Sequence, residues 1–123
     1  MKILGVLICL LCGGASSAFA LSPDMTLDFT WIGTALCAPT PGSPEFQVEN
    51  MPARTAVLRF VLIGPNGAEL GGADVPRPVH GTVPRGTISF RAPCVGGMYT
   101  WTVEAVDAQG KPLGKAKLTR PFY

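Results

Sequence analysis

The sequence predicts a small all-β domain, an antiparallel β-sandwich. Three observations carry that expectation. Apolar residues alternate with polar ones in several runs; Asn, Asp and Gly punctuate the gaps between them; and no stretch shows the three-to-four-residue apolar spacing of a helix.

In order along the chain, the opening residues are set aside first. Met1 and Lys2 give a positive start, Ile3 to Leu11 is almost wholly apolar, and GGASSAFA ends in Ala18-Phe19-Ala20. This is the layout of a secretory signal peptide over residues 1–20, cleaved after Ala20. The apolar run is too short to span a bilayer. Cys12 raises the alternative of a lipoprotein attachment site, but Leu10-Leu11 lacks the small residue that such sites carry before the cysteine. One domain over residues 21–123 remains, enough for a single core. No further apolar span follows, and a periplasmic or secreted location is expected.

MTLDFTW places Met25, Leu27, Phe29 and Trp31 on one face and reads as a half-buried strand. APTPGSP (38–44) is too proline-rich for a helix and reads as a loop or edge. AVLRFVLIG (56–64) is more continuously apolar, as a central strand would be. GPNG (64–67) supplies a tight reversal. TISF (87–90) is a short strand candidate. YTWTVEAV alternates Tyr99, Trp101, Val103 and Ala105 with polar residues, and DAQGK (107–111) should turn it into LGKAKLT (113–119) as a hairpin. The expected core is Leu27, Phe29, Leu58 or its neighbour Val57, Phe60, Leu62, Trp101 and Val103.

Charge and cysteine usage narrow the function. Without Lys2 the chain has nine Lys and Arg against eight Asp and Glu, with no basic or acidic block. A nucleic-acid partner is not expected. Cys9 and Cys12 leave with the signal, so Cys37 and Cys94 remain. In an exported chain they are expected to form a disulfide. A zinc site would need four ligands, and two thiols with the single histidine, His80, fall one short. Neither a metal nor another cofactor is expected. Catalysis is not expected either. Ser22, Ser43 and Ser89 are the serines left, and none lies in a G-x-S-x-G elbow.

GGADVPRPVHG (71–81) places His80 six residues after Asp74 among prolines and glycines. Flanking fragments give it context. Ser43-Pro44 and Phe46 open a stretch followed by Met51-Pro52-Ala53-Arg54-Thr55 and an apolar strand. Asp74, Pro76 and His80-Gly81 come next, then Ala92-Pro93-Cys94, then Tyr99, Trp101 and Val103. Ala105 to Leu113 closes the pattern, with Val106 where a leucine is usual. In this order the fragments resemble the phosphatidylethanolamine-binding protein (PEBP) family, in particular its short bacterial exported members, over nearly the whole of residues 21–123. The resemblance implies an all-β fold with a small anion pocket at its rim. Carried over, Asp74, Pro76, His80 and Tyr99 would line that pocket. An imidazole N–H can donate to a phosphate oxygen, and a nearby carboxylate can fix its tautomer. The implied ligand is a small anion or a phospholipid headgroup. The chain departs from the family pattern at Gly72, where an aspartate is expected, at Gly97, where a second histidine is expected, and at Val95-Gly96, where prolines are expected. The alternative is an immunoglobulin-like interaction module with no small-molecule site. Separation of Asp74, His80 and Tyr99 in the fold would favour it.

Overall fold

In the computed structural model, residues 24–123 are described. The expected signal peptide and its cleavage site, with Cys9 and Cys12, lie outside them. Seven strands form two antiparallel sheets: β1 (Thr26–Asp28), β2 (Phe46–Glu49), β3 (Val57–Ile63), β4 (Glu69–Pro76), β5 (Thr82–Val83), β6 (Gly97–Val106) and β7 (Pro112–Phe122). One sheet has the order β1-β2-β5, the other β4-β3-β6-β7. There is no helix among the described residues, hence none long and apolar enough to cross a membrane.

The alternation read from the sequence is the alternation of burial. Met25, Leu27, Phe29 and Trp31 are buried, as are Leu58, Phe60, Leu62, Tyr99, Trp101, Val103 and Ala105. These faces meet Phe46 and Val48 of β2, closing a core between the sheets. Of the pair Leu58 and Val57, Leu58 is the inward one. Aromatic rings hold the centre: Phe46 lies 4.7 Å from Phe60 and 4.9 Å from Trp101, centroid to centroid.

Turn chemistry fixes both long hairpins. Between β6 and β7, the buried Asp107 carboxylate accepts hydrogen bonds from the N–H groups of Gln109 (2.9 Å) and Lys111 (2.8 Å). Those donors, the Lys111 bond first, hold its pKa below the ordinary carboxylate value. Between β3 and β4, Gly64 donates to the Ala68 carbonyl at 2.8 Å, and Gly67 takes a φ of 85°.

Three strands differ from expectation. β2, β4 and β5 carry too few alternating apolar residues to announce themselves, and β4 contains Gly71 and Gly72. Pairing with the apolar β3, from Val57↔Pro76 to Ile63↔Glu69, overrides that weak local preference. TISF, conversely, is irregular; its one ladder contact is an isolated bridge from Phe90 to Gly71.

Cys37 and Cys94 are joined. The bridge spans 57 residues and ties the proline-rich loop to the segment leading into β6. Loop-closure entropy assigns such a bridge about 4 kcal/mol. The Cys37→Ser/Cys94→Ser variant should therefore unfold at markedly lower urea than the oxidised protein. An unchanged midpoint would mean that the loop is already ordered without the bridge.

Candidate functional site

The structure does not gather Asp74, Pro76, His80 and Tyr99 into one pocket. Asp74 points outward from the four-stranded sheet and accepts a hydrogen bond from Arg59 Nε at 3.1 Å. That bond, with the charge of Asp74, raises the pKa of the Arg59 guanidinium. Pro76 ends β4 beside Val57. His80 is exposed in the turn that follows, before Gly81, whose carbonyl accepts from Val48 N–H at 2.8 Å. Tyr99 is buried near the start of β6 between Trp31 and Phe122, and its hydroxyl donates to the Val95 carbonyl at 2.7 Å. Pro76 lies level with Val57 and hence Val106, seven residues along β6 from Tyr99. At a strand rise of ~3.3 Å per residue, roughly 23 Å separates the two levels.

Of the four, Tyr99 lines a cleft. This cleft, about 390 Å³, opens at the disulfide end. Its walls are the Gly64–Ala68 turn, Leu70, the Arg91–Val95 segment and Tyr99. Arg91 is held at the wall by its own backbone, which donates to the Leu70 carbonyl at 2.6 Å. Among the described residues its guanidinium has no ion-pair or side-chain hydrogen-bond partner, unlike Arg59 and Arg120, which pair with Asp74 and Asp28. The cleft thus combines an aromatic and apolar floor with one uncommitted, planar cation. That cation can grip a carboxylate or phosphate through two parallel N–H bonds.

Arg91 was absent from the residues that the sequence suggested. A signal for it existed: Phe90 and Ala92 are apolar and both buried, so the residue between them must face out. A second groove, of about 520 Å³, runs over the outer sheet face between Arg59, Glu104, Lys115 and Lys117. There Arg59 is engaged by Asp74 and lies 3.9 Å from Glu104. Among the described residues no group of three or more His, Cys, Asp or Glu side chains is placed to hold a metal ion.

A crystal structure from Chlamydia trachomatis, described as a phosphatidylethanolamine-binding protein homolog, superposes with a TM-score of 0.59 over 81% of this chain and 97% of that one. The fold is PEBP-like. Identity over the match is 13%, so the likeness is one of architecture. No family profile matches the chain, and no curated protein does.

Within the PEBP-like fold, two of the three departures noted in the sequence, Gly72 and Gly97, are backbone events as well as missing side chains. Gly72 has a φ of 155°, and a Cβ there would fall on the carbonyl oxygen of Phe60. Gly97 has a φ of 158°, and its Cβ would stand 2.8 Å from Pro65 Cγ. Neither position has room for the side chain that the family pattern places there.

Proposed function

We propose that this is an exported, non-enzymatic binding protein of the PEBP type that holds a small anion or phospholipid headgroup in the rim cleft beside Tyr99. The observation that carries the reading is the unpaired Arg91 guanidinium at the wall of that cleft. Tyr99 is retained from the family pattern, whereas Arg91 supplies the cation in place of His80. Export is supported by the signal-like opening and by the bridge between the two cysteines outside it. Binding rather than turnover is supported by the exposed position of the single histidine, for which no side-chain hydrogen bond is found among the described residues.

Calorimetric titration with inorganic phosphate, glycerophosphoethanolamine and acetate tests the proposal. Arg91→Gln should weaken binding about tenfold or more, the usual weight of a charge-assisted hydrogen bond. His80→Ala should leave affinity unchanged. The reverse pattern would move the anion to Asp74 and His80. Absence of binding to the wild-type protein at millimolar ligand would favour the interaction-module reading, which the separation of Asp74, His80 and Tyr99 already supports.

A further inference from the structure

The reversal between β3 and β4 carries chemistry of its own, apart from any ligand. Asn66 is followed by Gly67, both exposed, in the turn from Gly64 to Ala68. The Asn66 side chain folds back over that turn, and its Oδ1 accepts a hydrogen bond from the Ala68 N–H at 3.1 Å. Such a donor polarises the side-chain carbonyl and stands where negative charge would gather if Cγ were attacked. The nucleophile within reach is the Gly67 nitrogen, next along the chain. No side chain shields it: a Cβ built on Gly67 would meet nothing within 4 Å. The φ of 85° at Gly67 belongs to the region that glycine adopts freely. The Gly67 N–H donates to the Gly64 carbonyl at 2.9 Å, and that bond must open first. An exposed hairpin tip is among the segments that open most readily.

We propose that Asn66 converts itself to aspartate and isoaspartate, and that the new carboxylate shuts the cleft that Arg91 lines. The Gly67 nitrogen gives its proton to water and bonds to Asn66 Cγ. The Cγ–Nδ2 bond breaks, and the amide nitrogen leaves as ammonia. Water then opens the cyclic imide at either carbonyl carbon. Opening at Cγ leaves aspartate in a normal chain; opening at the main-chain carbon leaves isoaspartate, with an extra carbon in the main chain. The net change is a water consumed and an ammonia released, with no oxidant or reductant. The chain's other asparagine, Asn50, is an internal comparison. Its Nδ2 donates to the Asp24 carbonyl at 3.1 Å, and Met51 after it carries a side chain beside the corresponding nitrogen. Asn66 and Arg91 line one cleft, so either product puts a carboxylate where an anion would bind. That carboxylate engages the Arg91 guanidinium itself and repels the ligand. The closure rests on the anion reading of the cleft; the conversion of Asn66 does not.

Freshly purified protein is held warm in mildly alkaline buffer, and peptide mapping resolves asparagine, aspartate and isoaspartate at both positions. Asn66 should convert faster than Asn50 by about tenfold or more. Gly67→Ala should slow the conversion, and Asn66→Gln should stay intact, since its longer side chain closes a less favourable ring. Equal rates at Asn66 and Asn50, or an intact Asn66, overturn the proposed modification. Phosphate titration tests the consequence on fresh wild type, Asn66→Asp, Arg91→Gln and the double variant. Asn66→Asp should bind about tenfold more weakly than wild type and add little to the loss in Arg91→Gln. Full affinity in Asn66→Asp overturns the closure while the anion reading stands. No phosphate binding by fresh wild type overturns that reading and the closure together, and the conversion of Asn66 is still decided by peptide mapping.

Discussion

Trp101→Ala should destabilise the protein by roughly 3–5 kcal/mol, the range for removing a core aromatic. The ring is fully buried and lies 4.9 Å from Phe46 and 5.5 Å from Phe90, so its loss opens a void between the two sheets. Domains of this size commonly have only about 5–15 kcal/mol in total. Equilibrium urea unfolding, followed by far-ultraviolet circular dichroism, should show the midpoint fall sharply. Trp101→Phe should cost far less. It keeps an aromatic ring and removes an indole N–H that is buried without a hydrogen-bond partner. Equal losses in the two variants would mean that ring volume is not what holds the sheets together.

Gly72→Asp, which writes the family's aspartate back into the chain, should damage the fold rather than restore a pocket. The substitution combines a strained φ of 155° with a Cβ placed on the backbone of β3, where Gly72 pairs with Val61. Strain and overpacking together predict a loss of roughly 3–5 kcal/mol. Gly67→Ala is the control. Its φ of 85° is also unfavourable, but a Cβ there meets nothing within 4 Å, so it should cost only about 1 kcal/mol. Near-native melting of Gly72→Asp with stronger phosphate binding would show instead that β4 can shift to admit the side chain.

The fold was legible wherever one face of a strand is buried and the other wet. Trp101 and Val103 inward with Thr102 and Glu104 half-exposed is a period that only a strand produces, and Asp107 and Gly110 mark the reversal after it. β4 was not legible because what makes it a strand is its partner. Gly71 and Gly72 carry no side-chain pattern, and the pairing with β3 is invisible locally. The disulfide could be read from the cysteine inventory alone. The site was harder. Asp74 and His80 are close in sequence, but a strand sends its side chains out on alternate faces, and Asp74 falls on the outer face beside Arg59. Tyr99, on the inward face of β6, could not meet it. Arg91 owes its place to a backbone bond with Leu70 across a gap of 21 residues, which no local motif records.

The outer strand β7 is built against extension of the sheet by a second chain. Its eleven residues lie at the margin of the four-stranded sheet, with β6 as their ladder partner. A bare margin of that length is a template on which a second chain could extend the sheet and begin a fibre. Pro112 and Pro121 lack the N–H that such an extension needs at either end. Between them stand the exposed Lys115 and Lys117, so two copies approaching margin to margin would bring cation against cation. The folded protein is expected to resist growth along this strand in crowded solutions, and a charge-neutral β7 carrying Lys115→Gln and Lys117→Gln should lose part of that resistance.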